Sequence, residues 1–218
     1  MIEFRNLTKS YATSKGRHYV FDRINATIPS GHSIGILGPN GAGKSTLVNL
    51  IGRIDFPDSG EIRTDKRISW PVGLSGGFQG SLSGRDNVKF VCRVFGLDTP
   101  EMREAIAFVQ DFAEIGEYFD QPVGTYSSGM RSRLAFGLSM AFDFDYYLID
   151  EIMAVGDKHF LDKSRRVFKQ RTRNAHLIMV SHSPEMLRQE CDYGLFVSGG
   201  QIEVFKDIAD AVKRYNAL

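Results

Sequence analysis

Long apolar runs are missing from this sequence. The least polar stretch, Leu134 to Phe142, is far short of the roughly 20 apolar residues a helix needs to cross a bilayer, so a chain that does not span a membrane is expected. The start, MIEFRNLTKSY, carries charges where a signal peptide needs an apolar core, and a cytoplasmic setting follows as the expectation. Cysteine is scarce. Cys92 and Cys191 stand apart with no C-x-x-C spacing, which excludes a disulfide framework, a zinc knuckle and a thioredoxin-type motif. An excess of one charge is also absent: 27 basic residues face 26 acidic ones, whereas nucleic-acid-binding domains are commonly strongly basic, so no nucleic-acid partner is expected. With 7 prolines, no biased tract, no internal repeat and no linker, 42% apolar and 24% charged residues describe a globular chain, and 218 residues fill one α/β domain but not comfortably two.

What is present is an alternation of strand-like and helix-like segments. Ile2, Phe4 and Leu7 interleave with polar residues, and Val20, Phe21, Ile24, Ala26 and Ile28 follow a polar break, predicting two strands joined by a loop at residues 12–18. The run SIGIL at 33–37 reads as a buried strand leading through glycines into a helix from Lys44. Residues 73–80, GLSGGFQG, read as a mobile glycine-rich loop before helices at 85–95 and 100–115. A helix after Ser127 to about 141, a strand at 146–149, a helix at 158–173, a strand at 176–180, a short helix after Pro184, a strand at 195–197 and a closing hairpin and helix complete the pattern. Such alternation predicts a mostly parallel sheet covered on both faces.

The residues Gly38-Pro39-Asn40-Gly41-Ala42-Gly43-Lys44-Ser45 fit G-x-x-x-x-G-K-[ST] in full, between a predicted strand and a predicted helix. Glycines let backbone N–H groups close around phosphate oxygens, and the helix start adds positive potential. Lys44 is then expected to bridge the β- and γ-phosphates, Ser45 to ligate Mg²⁺ and Thr46 to help hold the α-phosphate. A second feature is Tyr146-Tyr147-Leu148-Ile149-Asp150-Glu151, an apolar strand ending in two carboxylates. Asp150 would belong to the Mg²⁺ shell and Glu151 would orient or deprotonate the attacking water; the alternative is an exposed acidic turn. His182 ends a further apolar strand. A lone histidine there is often structural, but ligands of open α/β sheets bind at the carboxyl ends of strands, which favours a role at the γ-phosphate.

On these residues the sequence resembles the nucleotide-binding subunit of ABC transporters, across essentially the whole chain. The family's signature, L-S-G-G-Q in its usual form, is replaced by Tyr126-Ser127-Ser128-Gly129-Met130 at the corresponding place; Ser127 and Gly129 are retained while Ser128 and Met130 depart. The resemblance implies a P-loop NTPase core of mostly parallel sheet, an N-terminal antiparallel β portion and an inserted helical subdomain at about 74–141. It implies ATP as ligand, Tyr11 stacked on adenine, Gln79 as a metal ligand, Asp157 in the D-loop and His182 as the switch histidine. Gln79 lies closer to the following helix than the family pattern has it. It further implies a head-to-tail homodimer in which Ser127, Ser128 and Gly129 serve the ATP of the opposite subunit, and an integral-membrane permease subunit docked beside residues 73–80, at the cytoplasmic face of the inner membrane.

Within the family, GGFQGSLSGRDN and YSSGMRSRLAFGLSMAFDFDYYLIDEIMAVGD look like the ATPase of capsular-polysaccharide exporters, the polymer being handled indirectly. Teichoic-acid exporters with YSSGM-like signatures and O-antigen exporters are the alternatives; the latter often carry a sugar-binding C-terminal domain for which this chain has no room. A soluble ABC-type ATPase acting on ribosomes or DNA would be expected to carry two cassettes or a coiled-coil insertion, and a guanine-nucleotide enzyme an N-K-x-D motif; the sequence has none of these. The basic residues Arg165, Arg166, Lys169, Arg171 and Arg173 read as a solvated helix face rather than a lipid contact.

Overall fold

The computed structural model describes every residue except Lys15, Ser75, residues 151–157, His182 and Leu218. Its described residues form two compact units.

The first unit comprises Met1–Pro71, Phe144–Glu151 and Asn174–Leu218. It opens with a long antiparallel hairpin, β1 (Ile2–Thr13) and β2 (Gly16–Ile28). Its register runs from Ile2 opposite Ile28 to Thr13 opposite Gly16. The loop expected at 12–18 is therefore strand almost to its tip. This arm is exposed on both strands, so its polar residues carry no alternation between a buried and a wet face, and periodicity could not reveal the pairing. β4 (Ser59–Thr64) pairs with the other edge of β1 to give a three-stranded sheet in the order β2-β1-β4.

The second sheet of this unit has the order β5-β6-β7-β3-β8-β9. Its centre is parallel: β3 (Ile34–Leu37) lies between β7 (His176–Val180) and β8 (Tyr193–Ser198), and β6 (Tyr146–Asp150) flanks β7. Nearly all residues of these strands are buried, which is why they read as continuous apolar runs. β5 (Ile68–Pro71) forms one edge and antiparallel β9 (Gln201–Phe205) the other. β4 and β5 correspond to no sequence-predicted element. β4 is largely exposed and β5 is four residues long with a proline, tolerable only at a sheet edge. The core joins the two sheets and α1 (Lys44–Ile51) through Phe4, Leu7, Phe21, Ile36, Leu47 and Leu148. Helices α6 (Pro184–Glu190) and α7 (Ile208–Asn216) complete the unit.

The second unit comprises Val72–Asp143 and Ile152–Arg173. Its helices are α2 (Gly84–Val94), α3 (Thr99–Ala113), α4 (Ser128–Met140) and α5 (Lys158–Arg171). Each of the first three starts on a side-chain cap: Ser83 accepts from Asp86 N–H, Asp98 forms a reciprocal capping box with Glu101, and Ser127 accepts from Met130 N–H. Phe112 of α3 stacks on Phe136 of α4 (5.6 Å between ring centres) and meets Phe160 of α5 edge-on at 5.2 Å. The glycine-rich segment is anchored at its C-terminal end: buried Asn87 accepts from Gln79 N–H (2.8 Å) and donates to the carbonyls of Gln79 and Ser83. The basic face of α5 is not uniformly solvated, since Arg171 turns onto Asp143 (3.0 Å) and lies over the Phe108 ring. Among the described residues, no helix is long and apolar enough to cross a membrane.

Candidate active site

The loop after β3 closes because two glycines stand where no side chain fits. At Gly38 (φ 151°) a Cβ would overlap the Val197 carbonyl oxygen, and at Gly43 (φ 103°) it would overlap Val20 Cγ1. The loop is braced by the Ala42 N–H donating to the Pro39 carbonyl at 3.2 Å. α1 then begins at Lys44 with no side-chain cap, leaving first-turn N–H groups and the positive end of the helix dipole at the cleft. The Lys44 ammonium folds back on its own loop, donating to the carbonyls of Gly38 (2.8 Å) and Pro39 (3.0 Å). Burial lowers its pKa, and the Asp150 carboxylate pulls the other way.

Six of the phosphate-loop residues expected from sequence, Asn40, Gly41, Gly43, Lys44, Ser45 and Thr46, line one cleft of about 410 Å³ together with Tyr11 and Asp150. Asp150 arrives there as the last residue of β6, level with Val180 of β7, so the carboxyl ends of parallel strands converge on the loop, where open α/β sheets bind ligands. The Ser45 hydroxyl and the Asp150 carboxylate are hard oxygen donors in one cleft. Such a sparse set, completed by phosphate and water oxygens, suits Mg²⁺. Among the described residues there is no cluster of three or more His, Cys, Asp or Glu that would hold a metal by protein ligands alone.

Three residues of the cleft were not expected from sequence: His18, Val20 and Val180. His18 stands directly opposite Tyr11 in the hairpin, so it was hidden with the pairing itself. The Tyr11 phenol donates to Asp55 Oδ2 at 2.8 Å. Burial, then this bond, raises its pKa.

In the second unit, Ser127, Gly129, Met130 and Arg133 line a cavity of about 390 Å³ with Glu114 and Tyr118. The Ser127 hydroxyl caps α4, while Ser128 is the first helical residue. The Gln79 side-chain amide donates to Ser81 Oγ at 3.2 Å. Glu151, Asp157 and His182 lie outside the described residues.

Residues 21–154 match the family model described as "ABC transporter". The chain belongs to the ABC transporter family. It is 56% identical over 216 residues to the polysialic acid transport ATP-binding protein KpsT of Escherichia coli, spanning 99% of this chain and 98% of that protein. It is 44% identical over 218 residues to the capsule polysaccharide export ATP-binding protein CtrD of Neisseria meningitidis serogroup B, spanning 100% of both. Among solved structures, a dimeric ATP-binding cassette in a post-hydrolysis state bound to ADP and Pi superposes with a TM-score of 0.71 at 22% identity, over 95% of this chain and 99% of that one. The fold is thus that of ABC cassettes: mixed α/β, as the alternation of strands and helices implied, with the P-loop core that the family resemblance implied. As an ABC cassette the chain is an ATP-binding, ATP-hydrolysing subunit of the kind that dimerises and works with membrane permease subunits.

Proposed function

We propose that this cassette powers export of a capsular polysaccharide, binding ATP with Mg²⁺ in the cleft at Lys44 and closing as a head-to-tail homodimer beneath an integral-membrane permease subunit. The observation that carries the substrate class is the end-to-end relation to the polysialic acid transport protein at 56% identity. An O-antigen export protein of Myxococcus xanthus reaches 40% over 82% of the chain, and a teichoic acids export protein of Bacillus cereus reaches 34% over 92%.

In this reading the amides of residues 41–46 and the Lys44 ammonium take the phosphate oxygens, the ammonium leaving the Gly38 and Pro39 carbonyls for a more negative partner. Tyr11 stacks on the adenine. Ser45 and Asp150, joined by Gln79, would hold Mg²⁺, which when bound supplies charge neutralisation at the phosphates. Glu151 accepts a proton from the attacking water and His182 supports the γ-phosphate. Ser127, Ser128 and Gly129 complete the site of the opposite subunit and Asp157 adjoins that interface, so one chain holds half of each of two sites. Positioning and fixed charge supply most of the acceleration. The permease subunit places the dimer at the cytoplasmic face of the inner membrane, peripherally.

The test is complementation. Expressed in a capsulated bacterium lacking its own export ATPase, the chain should restore surface capsule and the Lys44→Ala variant should not. Restoration of O-antigen or teichoic acid export, with capsule export unrestored, would overturn the assignment.

A further inference from the structure

Tyr11 sits on the exposed arm of the β1–β2 hairpin and is itself 41% exposed. An aromatic in that position keeps its rotamer freedom, and ordering such a side chain on binding costs affinity. Here the ring is already held. Its phenol donates to Asp55 Oδ2 at 2.8 Å. The Lys9 ammonium lies over the ring, 5.0 Å from its centre, occupying one face.

Asp55 is fixed in turn. Its Oδ1 accepts from the Lys9 ammonium at 2.6 Å and from the Phe56 N–H at 2.7 Å, and its own N–H donates to the Asn49 carbonyl of α1 at 3.2 Å. Lys9 is only 7% exposed and gives a second bond to the Phe56 carbonyl at 2.8 Å. Burial alone would raise the Asp55 carboxyl, but the bonds from Lys9, Tyr11 and Phe56 hold it below the usual carboxylate range. Both carboxylate oxygens are therefore committed. Asp55 follows the C-terminal end of α1, the helix whose N-terminal end presents Lys44, Ser45 and Thr46.

We infer that Asp55 is a positioning residue of the nucleotide site, which fixes the Tyr11 ring at a set distance from the phosphate loop by tying the hairpin arm to the far end of α1. The inference rests on the proposed role of the cleft in binding ATP and of Tyr11 in stacking on the base. It differs from the simpler role in which Asp55 only neutralises buried Lys9, because that role does not pass through the phenol.

A double-mutant cycle on the full chain separates the two. Affinities for ATP and for inorganic tripolyphosphate, which lacks a base, are measured by calorimetry for wild type, Tyr11→Phe, Asp55→Ala and the double variant. Each single change should weaken ATP roughly three- to ten-fold, the range for freeing one aromatic side chain. The double variant should bind ATP no worse than Asp55→Ala, and tripolyphosphate affinity should stay within two-fold throughout. Additive losses, an unchanged Asp55→Ala, or a parallel loss of tripolyphosphate would overturn the positioning role. If Asp55→Ala fails to fold because Lys9 is left unpaired, the test rests on the Tyr11→Phe arm. Tyr11→Phe leaves the Lys9–Asp55 pair intact and must still show the loss. Failure of the underlying reading looks different: wild type would then bind ATP no more tightly than tripolyphosphate.

Discussion

Truncating Lys44 to alanine should abolish useful nucleotide affinity while leaving the fold standing. The ammonium sits 2.8 Å and 3.0 Å from the Gly38 and Pro39 carbonyls, in a partly buried setting that lowers its pKa. At about 3 Å and an effective dielectric near 20, a unit charge pair is worth roughly 5 kcal/mol, from which the attraction already held by the two carbonyls must be subtracted. A net loss of about 3–5 kcal/mol remains, or roughly two to three and a half powers of ten in Kd. The cost to the fold is small. The Pro39 carbonyl, on a half-buried residue, can turn to water, whereas buried Gly38 loses a partner for its carbonyl; burial already disfavours the charge, so a change of about 1–2 kcal/mol is expected. That corresponds to roughly 2–8 °C in Tm for a chain of this size. Calorimetric titration with ATP and Mg²⁺ beside a thermal melt reads both. A Kd within ten-fold of wild type, or a melt lowered by more than about 10 °C, would refute the assignment of Lys44 to phosphate rather than to loop architecture.

Gly38→Ala should act on the fold instead, because its Cβ would overlap the Val197 carbonyl on a backbone at φ 151°; a loss of about 2 kcal/mol or more in urea unfolding is expected. Asn87→Ala removes the side chain that organises residues 79–83 and should cost on the order of 2–4 kcal/mol, with proteolysis of the 73–83 segment accelerated. Glu151→Gln should keep ATP binding, slow hydrolysis by at least about a hundred-fold and yield an ATP-dependent dimer on gel filtration, whereas wild-type turnover from a monomer would contradict the role given to that carboxylate. Ser127→Arg should lose the cap to Met130 N–H, worth about 1 kcal/mol, and leave ATP binding by the monomer nearly unchanged while blocking closure and hydrolysis. Loss of ATP affinity in that monomer would contradict head-to-tail pairing.

The parallel core was legible in the sequence because burial on both faces forces it to be written as apolar runs. The strands at 146–149 and 176–180 came out nearly to the residue, as Tyr146–Asp150 and His176–Val180. The phosphate loop was legible for a different reason: its glycines and Lys44 answer to the backbone geometry of the loop, which a spacing rule captures. What stayed hidden lies on exposed or edge structure. The hairpin arm carries polar residues on both faces, so it read as a loop, and His18 was concealed with it. Asp55 was invisible because its partners, Lys9 and Tyr11, are 46 and 44 positions away, and no periodicity spans such a separation. Residues 52–72 were silent because β4 is largely exposed and β5 is very short.

The two helix starts assigned to nucleotide differ in a way that bears on how the cassette persists without it. α4 caps itself, with Ser127 accepting from Met130 N–H, so its start is partly satisfied whether or not an anion arrives. α1 has glycine at its cap and no side-chain acceptor, and its first N–H groups lack intrahelical partners. A serine or aspartate at position 43 would supply that acceptor, but the positive φ there and the Val20 side chain exclude any Cβ. The same tightness that lets the backbone wrap a phosphate therefore denies the helix a cap of its own, and leaves Lys44 to fold onto the loop carbonyls. An anion that satisfies those amides and releases the ammonium from its carbonyls stabilises the core in proportion to its occupancy, so thermal stabilisation by ATP should be lost in Lys44→Ala and retained in Ser127→Arg.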